Sequence, residues 1–303
     1  MILLSRICRK RRCDMGKTGL VLEGGALRGI FTAGVLDFLM EKNIEFPYVI
    51  GVSAGAGNAM NYVSRQPRRS KQVITHENQP SYYGMGQLFE NKKVLNLDTL
   101  VVEYALKDFP FDFDTFYASE TECECVALNC ETGLPVYFSD FRDNDHLLKA
   151  NMASCAVPFI CEPVEIDGGM YLDGSLMESV PAKRAMDKGC DKVVVVLTRE
   201  AGAEPTDYAK MKKLVELCYK RKYPNLCTTI LKRKENYEKQ MEYLKRLEQE
   251  GKAFIIRPQT QAIRHFENDY NKLCAFYDRG YTEMQENFAA LQKFLGEEQA
   301  ASA

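Results

Sequence analysis

The sequence predicts an α/β fold organised on a mainly parallel central sheet. Two β-type runs, Thr18–Leu22 and Tyr48–Val52, each lead through a glycine-containing turn into a segment of helical periodicity. This strand–loop–helix–strand–turn–helix order is how parallel sheets open. A later run, Lys192–Leu197, is apolar at every position after the lysine and β-branched at its centre, as a strand covered on both faces requires.

The remaining elements follow in order. After Glu23-Gly24-Gly25-Ala26-Leu27-Arg28-Gly29, a glycine-rich loop, Ile30–Lys42 places Phe31, Val35, Phe38 and Leu39 on one helical side, with Asn43 as a stop. Ala54–Arg65 reads as a helix ended by Pro67. Residues 66–118 look irregular, with Tyr82, Tyr83, Phe89, Phe109, Phe111, Phe113, Phe116 and Tyr117 among polar residues. Cap and core packing are both open readings there. Cys125–Asn129 and Pro135–Phe138 flank Glu131-Thr132-Gly133 as a hairpin. Asp145–Met152 reads as a helix and Val164–Leu172 as a second hairpin turning at Asp167-Gly168-Gly169. Pro181 starts another helix. Beyond Pro205 the composition shifts to Lys, Glu, Leu and Tyr, so charged amphipathic helices are expected, with a returning strand at Phe254–Ile256 and a final helix or pair over 268–295.

Composition narrows the function. Hydrophobic residues make up 46% and charged residues 27%, an ordinary globular balance. The formal net charge of -2 gives no general attraction to nucleic acid, so none is expected as a partner. No apolar run approaches the ~18 residues of a membrane span. A cytoplasmic protein, at most peripheral to a membrane, is expected. Eleven cysteines spread from Cys8 to Cys274 in no zinc spacing, so they read as reduced, mostly buried thiols. Arg6, Arg9, Lys10, Arg11 and Arg12 follow an apolar start, the reverse of a secretory signal. Residues 1–15 are expected to be a disordered basic leader, and a polybasic membrane tether is the alternative.

The chemistry centres on Gly51-Val52-Ser53-Ala54-Gly55. Glycines flanking a serine between strand and helix allow a sharp bend and leave room for substrate. The helix start beside the serine favours the negative charge that develops on attack. Gly24, Gly25 and Ala26 can offer successive N–H groups to an oxyanion. A dinucleotide loop fits less well, because Ala26 occupies its third glycine and the next strand ends at Ser53 rather than an acid. The hydroxyl needs a base. The only histidines are His76, His146 and His265, none in a turn after a strand, and solvated polar roles are expected for them. Asp167 and Asp173 are the carboxylate candidates.

These three segments, Glu23–Gly29, Gly51–Gly55 and Leu172-Asp173-Gly174-Ser175, resemble the patatin-like phospholipase family in order and spacing. Ala153-Ser154-Cys155-Ala156-Val157-Pro158 is similar to the segment ahead of that family's aspartate. The resemblance covers roughly residues 18–200. It implies a three-layer α/β/α fold, a catalytic domain over 16–204 and a mainly helical extension over 205–303 packed on it. It implies Ser53 and Asp173 as a dyad, an oxyanion hole at Gly24, Gly25 and Ala26, and no cofactor or metal. Arg28, Gly29, Gly51, Gly55 and Gly174 support the motifs, with Arg28 holding the loop or meeting a polar head group. Asp173 is preferred to Asp167 because it ends a strand and precedes Val180-Pro181, although Asp167-Gly168-Gly169 has the closer letter match.

Ala26 and Ser175 depart from the family pattern, and Glu23 stands where aspartate is commoner. The expected substrate is a lipid or other acyl ester, cleaved through an acyl-enzyme as by a phospholipase A or lysophospholipase. A Ser-His-Asp esterase using His265, or a non-catalytic lipid-binding or regulatory protein on the same fold, are the alternatives.

Overall fold

The computed structural model describes residues 17–75 and 95–296. The basic leader, His76, Tyr82, Tyr83 and Phe89 lie outside the described residues.

The described chain forms one mixed sheet with helices on its faces. β1 (Thr18–Leu22) lies between β2 (Tyr48–Val52) and β7 (Lys192–Val196), all parallel. β3 (Glu122–Asn129) extends the parallel set beside β2, and β8 (Ala253–Ile256) extends it beside β7. β4 (Pro135–Phe138), β5 (Val164–Ile166) and β6 (Gly169–Asp173) add antiparallel pairings, β4 and β6 on β3, and β5 on β6. The predicted bounds of β1 and β2 match the structure, because each is buried along nearly its whole length. Val193 to Val196 are fully buried, and each such side chain contributes about 1.5–3 kcal/mol relative to exposure.

The segment read as irregular is more helical than its sequence suggested. Arg69–Thr75 and Phe113–Ala118 are short helices, and Asp98–Asp108 is a widened helix of π type. Phe111 packs against both Phe113 and Phe116 in the main core, so these rings serve core packing. Apolar residues at mixed spacing hid the periodicity.

The first helix, α1 (Gly29–Glu41), is buried almost all round. Its cover includes a C-terminal helix, Tyr270–Glu286, which crosses it at backbone contact. A Cβ at Gly34 would stand 2.1 Å from the Tyr277 carbonyl oxygen, and one at Gly280 would stand 2.0 Å from that of Phe31. The Tyr277 hydroxyl donates to the buried Asp37 carboxylate at 2.6 Å. The C-terminal residues therefore supply both β8 and the cover of α1. Gly280→Ala should lower stability by about 1–3 kcal/mol through overpacking. A lower urea midpoint at unchanged slope would register this, whereas an unchanged midpoint would mean that the helices do not meet this closely.

Candidate active site

β3 sets the geometry. β2 pairs with Glu122–Val126 of β3, and β6 pairs with the adjoining residues Ala127–Asn129. β4 pairs across Cys125–Leu128, overlapping both, so it takes the opposite edge and leaves β2 and β6 to share one. β2 and β6 run toward each other along that edge. The first ends at Val52 opposite Val126, and the second ends at Asp173 opposite Ala127. Ser53 and Asp173 therefore meet at the joint between two strand ends.

Ser53 turns the chain from β2 into the helix Ala54–Val63 at φ 56°, ψ -129°. The glycines of the turn serve backbone approach, and the serine itself carries the positive φ. A Cβ on Gly51 would stand 2.2 Å from the Gly55 carbonyl oxygen, and one on Gly55 would stand 2.4 Å from that of Leu22. Such strain at a functional turn persists when its surroundings fix it. Here Ser154, which is fully buried, does so. Its hydroxyl accepts from the Ser53 N–H at 2.7 Å and donates to the Val126 carbonyl at 2.6 Å. Ser154 sits in the segment that resembles the family, but its role depends on a contact 101 residues away and is invisible in the sequence.

The Ser53 side chain stands beside the Asp173 carboxylate and favours its ionised form. Asp173 is 3% exposed. Burial raises its pKa above the ordinary carboxylate value, against the Ser175 N–H, the Ser53 and Ser175 side chains and the charge of Arg233. The Ser175 N–H donates at 2.8 Å. Gly174 begins the single helical turn after Asp173. Asp167 is placed elsewhere. With φ 52° it is the first residue of the two-residue β5–β6 turn, followed by Gly168 at φ 78°, and its side chain pairs with Arg142 on the surface. Both positive angles mark a hairpin turn of type I′.

The glycine-rich loop packs beside Ser53. Among the described residues, no protein group accepts from the N–H groups of Gly24, Gly25 or Ala26, whereas the Glu23 N–H reaches Val196 and the Leu27 N–H reaches His265. Ala26 has φ 49°, so it occupies a conformation better suited to glycine and keeps its N–H. Gly29 opens α1, and its carbonyl accepts from the Asn58 amide at 2.8 Å. Glu23 is fully buried and accepts from the Thr198 N–H at 2.6 Å, which ties the loop to the end of β7.

Arg28 is buried and points to His265, with Nη2 2.7 Å from the imidazole Nε2. The expectation of solvated histidines is corrected here. His265 is half-buried against the loop, with its pKa lowered to about 3 by burial and then by Arg28, Arg199 and Arg233. His146 is buried beside Phe138 and Phe141. Solvated surface placement failed for both because tertiary packing covers them.

A cavity opens on Ser53. Ala26, Leu27 and Ala54 line it near the serine, and Met60, Val101, Phe111, Leu147 and Val157 make its apolar wall. The described cysteines are free thiols, most of them buried, and Cys155 also lines this cavity. Among the described residues, no helix is long and apolar enough to cross a membrane.

Sequence comparison matches residues 20–186 to the patatin-like phospholipase family. The chain belongs to this family. Residues 223–296 match a domain of unknown function, DUF6363. The uncharacterized protein YjjU of Escherichia coli is 32% identical over 189 residues, covering 60% of this chain and 52% of that protein. Lysophospholipase nte1 of Aspergillus terreus is 26% identical over 191 residues, 61% of this chain but 12% of that protein. The chain thus spans about half the length of YjjU and a small part of nte1. VipD from Legionella pneumophila is a structural neighbour at TM-score 0.47 and 12% identity, covering 91% of this chain and 67% of that one.

Ser154→Ala should leave the Ser53 N–H and the Val126 carbonyl unsatisfied in a buried place. A loss of about 1–3 kcal/mol in denaturant stability is expected, with faster amide exchange at Ser53. Unchanged exchange at Ser53 would show that the hydroxyl does not hold the turn.

Proposed function

We propose that this protein is a serine acyl-ester hydrolase, acting on lipid esters as a phospholipase A or lysophospholipase does, with Ser53 as nucleophile and Asp173 as base. The observation that carries this reading is the convergence of two strand ends that sets Ser53, which lines an apolar cavity, beside the buried carboxylate of Asp173. Residues 16–204 act as the catalytic domain and 205–303 as an extension that completes the fold.

Asp173 accepts the hydroxyl proton while Ser53 Oγ attacks the ester carbonyl. The N–H groups of Gly24, Gly25 and Ala26 receive the oxyanion, and the acyl chain lies along the apolar wall. Collapse of the tetrahedral adduct breaks the bond to the alcohol, which leaves with the proton from Asp173. Water then attacks the acyl-enzyme, gives its proton to Asp173, and releases the fatty acid and Ser53. An aspartate free in water, with pKa ~3.9, is a weak base for this step. Burial that raises the Asp173 pKa strengthens it.

His265 fits the alternative triad poorly, because its Nε2 already meets Arg28 and its pKa is lowered to about 3. A purely lipid-binding role on this fold predicts no covalent labelling. A fluorophosphonate probe should label wild type and not Ser53→Ala. Ser53→Ala should lower esterolysis by about 10⁴-fold or more, and Asp173→Asn by about 10²–10⁴-fold. Asp167→Asn should behave like wild type. Loss with Asp167→Asn but not with Asp173→Asn would overturn the assignment of the base.

The pH dependence has a definite sign. Asp173 works ionised, and its pKa is raised, so kcat/KM should fall with acid at a pH above the ordinary carboxylate range. Burial penalises the ionised form in the folded state, so Asp173→Asn should lose activity without losing stability near neutral pH. An acid limb at or below ~3.9 would count against the buried base.

Membrane contact has a suitable surface between the two matched regions. Met211, Leu214 and Leu217 are exposed by 42%, 41% and 81% on a helical stretch. Lys210, Lys212, Lys213, Lys220, Arg221 and Lys222 surround them, all exposed. Apolar tips within a basic collar complement an anionic bilayer surface. Wild type should sediment with phosphatidylglycerol vesicles and Leu217→Glu should not. Equal sedimentation of both would remove this surface from membrane contact.

A further inference from the structure

Three arginines are buried together beside the dyad, from three parts of the chain. Arg28 lies in the glycine-rich loop, Arg199 follows β7, and Arg233 opens the helix Arg233–Gln249 in the DUF6363 region. Their exposures are 8%, 3% and 6%. Arg233 is anchored, with Nε donating to the Ser175 carbonyl at 3.2 Å and Nη1 to the Thr206 carbonyl at 3.3 Å. Arg199 lies over the Tyr237 ring, with Nε 3.4 Å from a Glu23 carboxylate oxygen. Among the described residues, its Nε and Nη1, and the Nε of Arg28, are buried without a hydrogen-bond partner. Arg28 otherwise meets the neutral ring of His265.

The charges do not balance. Among the described residues, Glu23 and Asp173 are the carboxylates that act on Arg28 and Arg233, and Arg199 meets Glu23, so two acids face three guanidinium groups. One positive charge is left over when Asp173 is ionised, and two when it has taken the serine proton. An uncompensated buried charge is costly, and unfilled guanidinium donors add to that cost. Burial and the other arginines lower the pKa of Arg28 to about 10 and also depress that of Arg233. A bound anion with several oxygens would relieve both deficits, and guanidinium groups match phosphate geometry best. Ala26 and Leu27 face the apolar cavity, while the next residue, Arg28, faces His265 and the other arginines. The loop therefore separates an apolar side from a cationic side.

We propose that Arg28, Arg199 and Arg233 form an internal anion site for a phosphate group, built jointly by the catalytic region and the C-terminal region. Arg233 connects it to the dyad through the carbonyl of Ser175, two residues beyond Asp173. The head-group form of this proposal rests on the hydrolase reading above, and the binding of phosphate itself does not.

Full-length wild type and Arg199→Gln are compared in two measurements. The first is thermal unfolding with inorganic phosphate, at ionic strength matched with chloride. A saturable rise in Tm for wild type that Arg199→Gln lacks supports the site, since a ligand of the native state stabilises by mass action. The second is hydrolysis of a lysophospholipid and of an uncharged monoacylglycerol with the same acyl chain. If the phosphate is a head group, Arg199→Gln lowers the ratio of kcat/KM for the two esters at least tenfold, and inorganic phosphate competes with the lysophospholipid. If free phosphate is the ligand, the Tm effect holds and the ratio does not move. No saturable Tm rise in wild type together with an unmoved ratio overturns the proposal. Should neither ester be cleaved, the hydrolase reading fails while the Tm measurement still decides the site. Arg28→Gln replaces Arg199→Gln if the latter does not fold.

Discussion

One edge of β3 carries two strand ends, and the candidate active site depends on this arrangement. The parallel β2 occupies the first part of the edge, and the antiparallel β6 occupies the rest. Backbone pairing with a common strand fixes the approach of Ser53 to Asp173 before any side-chain preference acts. β3 is buried over Cys123–Leu128, so the rail that aligns both residues belongs to the most protected part of the molecule. The strained turn at Ser53 draws on the same support, since Ser154 connects its N–H to the carbonyl of Val126.

The surroundings of Ser53 and Asp173 come from distant parts of the chain. Glu23, at the start of the glycine-rich loop, is held by Thr198 after β7 and by the Tyr237 hydroxyl of the long C-terminal helix. The Leu27 N–H is capped by the carbonyl of His265. β8 and the helix over α1 come from the same C-terminal part. The glycine-rich loop therefore rests on residues beyond the segment that the patatin-like family matches.

Local rules make the strands and the turn at Ser53 legible in the sequence. β1, β2 and the Asp167-Gly168 hairpin follow from apolar runs and turn chemistry. The placement of Asp173 at a strand end and of Asp167 in a turn is legible in the same way. What stayed hidden depends on long-range contact. Nothing near Ser154, Arg199 or Arg233 in the sequence signals their partners, which are up to 176 residues away for the Glu23–Arg199 pair. The burial of His146 and His265 was missed for the same reason. The glycines of the turn were correctly located but serve backbone proximity, while Ser53 and Ala26 take the positive φ angles.

The hairpin that delivers Asp173 has a further consequence. Side chains alternate along β6, so the face presented by its last residue is set by parity counted from the β5–β6 turn. Replacing Asp167 or Gly168 alters a surface turn, but adding or deleting one residue within β6 would turn the carboxylate to the opposite side of the sheet. The position of this carboxylate is therefore discrete. Substitution at the hairpin tip leaves the carboxylate on its side of the sheet, whereas a single-residue change of strand length does not.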